Sequence, residues 1–351
     1  MKIIKDLKHI QKKMIAERIP ISINFELTHR CNYDCIHCLR DIRNTPELVT
    51  EEVFRILQEI KDAGALELSL TGGEIFLRED IWEILDKIKE LRFSTTIFSN
   101  GWLLDEETVK RISTYSIKGI DISLYGMDPE IHDKVTTIKG SFNKLMQNLK
   151  LLKKYNVPVR LKMMLFRFNV KELEKVYEFA KREDYQFTFD ELLFVADSGS
   201  RIPFDYAVYG DQIAYIEKFR LKLSSSDSIW VDYDIENRAG ARIMCTAARS
   251  TAAITPDGDL LPCIVWRRPI GNLKKNSFKE LWNNSENVKK LLDIEDRNFV
   301  KCISCRLSAA CRVCPGMNEG EHNNPFTPSF QKCRLTEIKA EVLDDYKKEI
   351  H

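Results

Sequence analysis

The sequence has no run of about 18 apolar residues, so no segment of it is predicted to span a membrane. Its N-terminal 20 residues are interrupted by charge and contain no continuous apolar stretch, which argues against a secretory signal peptide. Net charge is nearly absent, at +1 from 54 basic and 53 acidic residues, and this excludes a global attraction to nucleic acid or anionic lipid. With 44% hydrophobic residues, the chain is expected to be a soluble globular protein of the cytoplasm.

Cysteine is also absent from the middle of the chain, between residues 39 and 244. The ten cysteines form two groups instead, three near the start (Cys31, Cys35 and Cys38) and seven in the last third. In a reducing compartment, clustered cysteines are typical of metal ligands rather than of disulfides. Both groups are therefore candidate metal-binding sites.

Between the two groups, segments with strand character alternate with segments of helical periodicity. The predicted strands are 21–27, 66–73, 94–101, 117–126, 157–166 and 186–194, and the predicted helices are 50–64, 79–91, 105–113, 141–155 and 169–183. This alternation predicts an α/β fold with a parallel sheet, either open and doubly wound or a partial barrel. In both, the chemistry lies where the strands end, so the polar residues that follow the strands should share one face.

The pattern fades after residue 195, and the segment from 245 onward is dense in Cys, Pro and Gly. We expect that segment to be a small domain organised by metal rather than by a hydrophobic core. The predicted division is an N-terminal helix over 1–20, a barrel over 21–200, a connecting region over 201–244 and a cysteine-rich domain over 245–351. A stripe formed by Ile3, Leu7, Ile10 and Met14 predicts that the N-terminal helix docks on the barrel.

The first cysteine group has the spacing C-x3-C-x2-C and directly follows the first predicted strand. Three thiolates on one loop would leave one iron of a [4Fe–4S] cluster open for another ligand. The alternative is a structural zinc site with His29 or His37 as fourth ligand, although zinc sites usually pair two C-x2-C units. The second strand ends in Gly72-Gly73-Glu74, where paired glycines let the backbone approach a ligand closely and the glutamate can pair with a ligand ammonium.

These two motifs, placed after the first and second strands, resemble the radical SAM superfamily. The resemblance implies a partial (β/α)6 barrel and a [4Fe–4S] cluster on Cys31, Cys35 and Cys38. It also implies that S-adenosylmethionine chelates the fourth iron, with its ammonium against Gly72, Gly73 and Glu74. Ser99, Asn100 and Ser123 match positions that contact the ribose or carboxylate, and the alternative is that they cap strand ends. The sequence departs from the family at Ile75, where Pro is common, and at His37, where an aromatic residue is usual.

The seven later cysteines resemble the SPASM domain found in radical SAM enzymes that modify peptides and proteins. Cys245 is followed by twelve residues, Gly258, four residues and Cys263, and then come C-x2-C-x5-C-x2-C and a last cysteine. The family usually has x3 at the final internal spacing. The resemblance assigns an outer auxiliary Fe–S cluster to Cys302, Cys305, Cys311 and Cys333. It assigns an inner cluster to Cys245, Cys263 and Cys314.

The stretch 237–240 supplies no fourth cysteine for the inner cluster, which we expect to have an open iron or a non-cysteine ligand. The alternative is a zinc ribbon built from the two C-x2-C pairs, although only five residues separate them.

The resemblance implies a radical SAM/SPASM oxidoreductase that uses a 5′-deoxyadenosyl radical on a ribosomally synthesised peptide. All ten cysteines are assigned to clusters, so none remains to donate a hydrogen atom to the substrate radical. This favours a crosslink, either thioether or C–C, or another oxidation. The alternatives are a maturase of a protein residue, a tetrapyrrole-modifying enzyme and a non-enzymatic metal-stapled binding protein. The expected partners are the peptide and an electron donor such as flavodoxin or ferredoxin. A separate protein that binds the leader of the peptide is a further candidate partner.

Candidate substrate-contacting residues lie on or after the later strands. Arg160 and Lys162 share one face of the fifth strand, which either lines the barrel or lies under a helix as an outward polar face. Tyr125 follows the fourth strand, and Asp190 lies in the sixth. No partner can be identified for His132 or His322 from the sequence.

Overall fold

The computed structural model describes residues 13–40, 45–226, 245–308 and 310–350. The predicted N-terminal helix and the stretch 237–240 lie wholly or largely outside the described residues, as does much of the predicted connecting region. None of the described helices is long and apolar enough to cross a bilayer.

The first part of the chain alternates strands and helices as predicted. Its elements are β1 (Ser22–Glu26), α1 (Thr50–Asp62), β2 (Glu67–Thr71), α2 (Ile81–Glu90), β3 (Ser94–Ser99), α3 (Glu106–Ile112), β4 (Gly119–Ser123), α4 (Pro129–Thr136), α5 (Ser141–Lys154), β5 (Val159–Met164), α6 (Leu173–Glu183) and β6 (Gln186–Asp190). The sequence pattern did not indicate α4, because this helix is only eight residues long. Asp128 caps α4, and Pro129 occupies its first turn.

Among the described residues, the later part contributes two long helices, three short strands and four short helices. These are α7 (Asp211–Ser226), β7 (Thr251–Ile254), β8 (Asp259–Leu261), β9 (Gly271–Asn272), α8 (Phe278–Asn284), α9 (Glu286–Leu292), α10 (Val300–Ile303), α11 (Pro315–His322) and α12 (Phe330–Ile350).

All nine named strands form one sheet in the order β6-β5-β4-β3-β2-β1-β7-β8-β9. The strands β1 to β6 are parallel and adjacent in chain order, which confirms the predicted α/β architecture with crossover helices. Strand β7 is also parallel to β1, with Ile23 opposite Ala252, and β8 and β9 follow antiparallel. The C-terminal part therefore extends the sheet rather than forming a separate one.

The two faces of the sheet differ in polarity. One face packs against the helices and carries fully buried apolar residues, among them Ile23, Phe25, Leu68, Leu70, Ile97, Ile120, Ile122 and Leu161. The other face, here called the inner face, is polar across neighbouring strands: Asp121 lies opposite Arg160, and Ser123 opposite Lys162. A polar surface between parallel strands suits a binding site rather than a second helical layer.

The segment 252–291 belongs to the main hydrophobic core, so the prediction that metal rather than a core organises the C-terminal part is wrong there. Ile254, Leu260 and Trp282 are buried in the same cluster as the residues of β1 and α1. Trp282 also donates from Nε1 to the Arg18 carbonyl at 2.8 Å. Because β7 pairs with β1, its apolar residues continue the existing core, a relation that local periodicity does not reveal.

Candidate active site

The glycine pair after β2 packs directly on the segment that leads into the first cysteine loop. Gly73 donates its backbone N–H to the Thr28 carbonyl at 2.7 Å, and Glu74 donates to the Arg30 carbonyl at 2.8 Å. A Cβ on Gly73 would collide with the Arg30 carbonyl oxygen, and one on Gly72 would lie 2.6 Å from the Thr28 oxygen. The close approach that the glycines permit here is thus to the chain itself, and it fixes the cysteine loop to the end of β2.

Glu74 joins the ends of β2 and β3. Its side chain is fully buried, and Oε2 accepts from Ser99 Oγ at 3.0 Å and from the Asn100 backbone N–H at 2.8 Å. Burial raises the pKa of Glu74 to about 7, while these hydrogen bonds act in the opposite direction. Three of the predicted cofactor-site residues therefore share one hydrogen-bond network.

Asn100 extends that network to the cysteine loop. Its Nδ2 donates to Asn32 Oδ1 at 2.8 Å and lies 4.0 Å from Cys31 Sγ. The motif after β1, the motif after β2 and the end of β3 thus meet at one edge of the sheet, as the strand-end argument predicts.

The ten cysteines are all free thiols. Burial raises the pKa of the Cys35 thiol, and the charges of Cys38 and Cys31 raise it further. In the C-terminal segment, burial raises the pKa of Cys302 to about 11, with contributions from Cys311, Cys333 and Cys305. Burial likewise raises the pKa of Cys263 to about 12, with contributions from Cys245 and Cys314. Within each predicted group, the charges of neighbouring thiols therefore contribute to the raised pKa.

Both histidines considered as zinc ligands face other partners. His29 Nε2 lies 3.7 Å from Asp257 Oδ1 in the turn after β7, and His37 Nε2 lies 3.4 Å from Tyr125 Oη. Within the described ranges, no three Cys, His, Asp or Glu side chains converge as ligands of a single metal ion. The two histidines proposed as a fourth zinc ligand thus contact Asp257 and Tyr125.

Tyr125 lies beside the cysteine loop in an aromatic group. Its ring is 5.2 Å from that of His37, which also contacts Phe166 at 5.0 Å. The Tyr125 backbone N–H donates to His132 Nδ1 at 3.2 Å, which gives His132 the partner that the sequence did not reveal. Ser123, at the end of β4, interacts with the phenol of Tyr125. Similarly, His322 lies 3.7 Å from Glu321.

Arg160 and Lys162 lie on the inner face, away from the helices, because Val159, Leu161 and Met163 fill the core side of β5. Arg160 makes a bidentate pair with buried Asp121, at 2.9 and 2.6 Å. Lys162 lies 3.8 Å from the same carboxylate. Asp190 lies opposite Met164 on the neighbouring strand. Burial lowers the pKa of Lys162 overall, although the charge of Asp190 acts to raise it. Asp190 Oδ1 accepts from the Leu192 N–H at 2.9 Å, where the chain leaves β6.

A buried ion network near the glycine turn is not apparent from the sequence. Glu26, fully buried at the end of β1, accepts from Arg267 Nη1 at 2.6 Å and lies 3.3 Å from Arg40 Nε. Arg267 also pairs with Asp197 at 2.8 Å, and Arg40 donates to the Gly72 carbonyl. An acid within the apolar strand ISINFEL is the signal that could have identified Glu26. The network connects the loops that carry Cys38 and Cys263.

A cavity of about 380 Å³ adjoins this network. Its walls are the segment after β6 and the residues that follow Cys263 and Cys314. The cavity therefore lies between the barrel strands and the inner group of C-terminal cysteines.

Comparison with known proteins gives two family matches. A model of the radical SAM superfamily matches residues 25–180, and a model of the SPASM iron–sulfur cluster-binding domain matches residues 245–315. The AdoMet-dependent heme synthase of Methanosarcina barkeri is 24% identical over 84% of this chain and 91% of its own length. The antilisterial bacteriocin subtilosin biosynthesis protein AlbA of Bacillus subtilis is 28% identical over 93% of this chain and 74% of its own length.

The fold is similar to that of Streptococcus suis SuiB bound to precursor peptide SuiA. The TM-score is 0.71 at 18% identity, over 92% of this chain and 79% of that one. SuiB bound to S-adenosylmethionine gives a TM-score of 0.69 over 90% of this chain and 78% of that one. The partial-barrel architecture, the cysteine spacing and both family matches agree: this chain is a radical SAM enzyme with a C-terminal SPASM iron–sulfur domain.

Proposed function

We propose that the chain holds a [4Fe–4S] cluster on Cys31, Cys35 and Cys38 and binds S-adenosylmethionine beside it. The observation that carries this proposal is the network that joins Glu74, Asn100 and the Cys31 loop at the strand ends. The donor set suits the group, because three free thiols share one loop and no fourth cysteine accompanies them. When bound, the reduced cluster cleaves S-adenosylmethionine to a 5′-deoxyadenosyl radical that abstracts a hydrogen atom from the substrate.

The chain's own residues would orient that cofactor and exclude water. The buried Glu74 carboxylate would accept from the cofactor ammonium, and Ser99 and Asn100 hold the carboxylate in place. Tyr125, His37 and Phe166 close one side of the loop with packed rings. An aromatic wall of this kind would shield one side of the site from solvent.

In the C-terminal segment, an outer auxiliary cluster would use Cys302, Cys305, Cys311 and Cys333. Cys245, Cys263 and Cys314 would hold an inner cluster whose fourth position is open or filled by another ligand. We propose that the barrel spans residues 21–200 and that the auxiliary-cluster domain spans residues 245–351. No cysteine remains as a hydrogen-atom donor, so the favoured outcome is a net oxidation or a crosslink in which the substrate radical would pass an electron to an auxiliary cluster. A flavodoxin or ferredoxin type of partner would supply the electron that reduces the first cluster.

The proposed substrate is a ribosomally synthesised peptide. Support comes from AlbA, a bacteriocin biosynthesis protein, and from the fold of SuiB, whose structure contains a precursor peptide. A second candidate is a tetrapyrrole, because the heme synthase of Methanosarcina barkeri matches over 91% of its length. A peptide and a tetrapyrrole differ in charge, and only the peptide has a polypeptide backbone, so a binding experiment can distinguish them.

The test is anaerobic reconstitution with iron and sulfide, followed by S-adenosylmethionine and dithionite. We expect the wild type to form 5′-deoxyadenosine and Cys35→Ala to form none. Cys333→Ala is the matched control, since it removes one thiol but leaves the first loop intact. Equal formation by wild type and Cys35→Ala, or none by iron-replete wild type supplied with candidate peptides, would rule out the proposed initiation site.

Mass spectrometry of the supplied substrate then identifies its class. A peptide that has lost two hydrogen atoms supports the crosslinking proposal. Turnover of a porphyrin precursor and of no peptide supports the second candidate.

A further inference from the structure

The cavity between the barrel and the SPASM domain has one wall whose backbone bonds to nothing in the described chain. Leu193, Phe194 and Val195 line it, and neither their N–H nor their C=O groups have a hydrogen-bond partner within the described residues. Most backbone groups away from bulk water are paired in native proteins, so three consecutive unpaired residues at a cavity wall are unusual. Such a wall offers donors and acceptors at the spacing of a polypeptide.

The wall is held in place at both ends. It continues from β6 without a bend or turn over residues 191–196. Before the wall, the Leu192 N–H is bound by the Asp190 carboxylate. After it, Ala196 donates to the Ser200 carbonyl at 3.0 Å and Asp197 donates to the Leu39 carbonyl at 2.8 Å. The free groups therefore belong to a fixed segment, which lowers the entropy cost of pairing with a ligand.

The wall also lies beside the proposed chemistry. Leu39 follows Cys38 directly, so the Asp197–Leu39 bond ties the wall to the first cysteine loop. The side chain of Leu193 packs in one cluster with Tyr125 and Phe166, the residues beside that loop. The opposite side of the cavity comes from residues after Cys263 and Cys314, such as Trp266 and Met317. A ligand on the wall would thus lie between the initiation site and the inner cysteine group.

The charge of the cavity disfavours a polyanionic ligand. Three carboxylates line it, those of Asp197, Glu319 and Glu321, against the two guanidinium groups of Arg267 and Arg268. Arg267 is already bound by Glu26 and Asp197, and Arg268 lies 3.6 Å from Glu319. A tetrapyrrole with several carboxylates would find no uncommitted cation among these lining residues, and it would leave the backbone of the wall unpaired.

We propose that residues 193–195 bind the backbone of an extended peptide segment as an added strand beyond β6, and so present its side chains between the two cysteine sites. The inference rests on the proposed function and specifies its substrate class. Main-chain pairing of this kind gives affinity for peptides of many sequences, and the side chains that flank the paired backbone set specificity. The peptide would replace solvent as the partner of the free groups.

The test uses cluster-loaded protein with S-adenosylmethionine and a pool of acetylated, amidated decapeptides of random sequence, each with one Cys. Anaerobic ultrafiltration selects the peptides that are retained, and the tightest is resynthesised. Hydrogen exchange measured by mass spectrometry should show at least 10-fold slower exchange at amides 193–195 with that peptide. The same peptide N-methylated at alternate residues should not protect them. Protection confined to other segments, no retained peptide, or equal protection by a tetracarboxylate porphyrin would overturn the proposal.

Backbone variants give a second readout. Phe194→Pro and Val195→Pro each remove a donor that has no partner among the described residues, so iron content and circular dichroism are expected to remain unchanged. At least one should weaken peptide binding 10-fold or more, whereas Phe194→Ala and Val195→Ala, which keep the N–H, should change it less than 3-fold. Wild-type affinity in both Pro variants would overturn the proposal. That result would leave the proposed function intact if the wild type still forms 5′-deoxyadenosine and modifies a peptide.

Discussion

The Asn100 backbone N–H donates to Glu74 Oε2 at 2.8 Å, and this bond joins the ends of two neighbouring parallel strands. The same asparagine reaches the cysteine loop through Asn32. Glu74 is buried, is held by three donors and belongs to the network that reaches Cys31, so it is the carboxylate that we expect to pair with a cationic group of a bound ligand. The first predictions concern this carboxylate.

Replacement of Glu74 by Gln should weaken the binding of S-adenosylmethionine about 10-fold or more, because a hydrogen bond to a charged group contributes about 1.5–3 kcal/mol. Gln keeps the size of the side chain but removes the charge that would face the ammonium. Equilibrium binding of labelled cofactor to cluster-loaded protein measures the effect. Glu79→Gln, at an exposed acid five residues later, is the matched control and should bind as wild type. Equal affinity in Glu74→Gln would remove Glu74 from the cofactor site.

The affinity of the wild type should also fall as the pH is lowered through about 7. Burial raises the pKa of Glu74 to about 7, so the carboxylate gains a proton below that pH and can no longer pair with a cation. The pH dependence of cofactor binding in Glu74→Gln should be flatter over the same range. Parallel profiles for the two proteins would mean that another group controls the effect.

Gly73→Ala should displace the first cysteine loop and reduce the iron bound there. An added Cβ would collide with the Arg30 carbonyl oxygen, and backbone on both sides cannot give way. Iron per chain and formation of 5′-deoxyadenosine measure the loss. Gly140→Ala is the control: its backbone is left-handed, with φ of 84°, but its Cβ would meet nothing within 4 Å. It should cost only about 1–2 kcal/mol of stability and retain its iron. A Gly73→Ala protein with full iron would contradict the packing argument.

The sequence suffices to place the motif residues because parallel strands all end at one edge. Glu74, Ser99 and Asn100 lie at or after the end of a strand whose hydrophobic pattern is clear, and adjacency of successive strands brings them together. The first cysteine group needs even less, because its three members follow one another within eight residues of a single loop. Local rules therefore predict most of the barrel and the core of the candidate site.

Contacts between segments that are far apart in the chain cannot be predicted in this way. Glu26 and Arg267 are 241 positions apart, and they meet only because β7 pairs with β1 in one register. No periodicity within either segment encodes that pairing, so neither the ion network nor the extension of the sheet follows from the sequence pattern. The cavity wall at 193–195 is also invisible to pattern reasoning, since its property is the absence of partners for its backbone within the described chain.

Glu26→Gln should destabilise the folded protein by about 3–5 kcal/mol, because it leaves the Arg40 and Arg267 charges buried without their shared carboxylate. Burial alone would raise the pKa of Glu26, but the two arginines lower it below its usual value of 4.5. A lowered folded pKa means that this stabilisation is present above that usual value and is lost as the pH falls through the folded one.

Anaerobic urea unfolding at pH 7 measures this difference. Glu90→Gln, which removes an exposed partner of Lys87, is the control and should change stability by less than about 1 kcal/mol. A Glu26→Gln midpoint equal to that of the control would show that the network contributes nothing to stability.

Lys339→Met should loosen the C-terminal helix α12, which carries Cys333. Lys339 Nζ pairs with Glu191 and, at 3.0 Å, with Glu217, two buried carboxylates that also pair with Arg220. Burial of Glu191 would raise its pKa, yet Arg220 and Lys339 lower it to about 2, so both cations hold the charge in place. Removing Lys339 takes a cation away from two buried negative charges, and we expect a loss of about 3 kcal/mol.

Limited proteolysis under anaerobic conditions should then cut α12 in Lys339→Met before it cuts the barrel, and the unfolding midpoint in urea should fall. Lys348→Met is the matched control, because it lies in the same helix and removes only a solvent-exposed pair with Asp345 at 3.0 Å. Since α12 supplies Cys333, early release of the helix should be accompanied by loss of iron from the outer cysteine group alone. Identical cleavage patterns in the two lysine variants would show that hydrophobic packing, rather than the buried ion network, anchors this helix to the barrel.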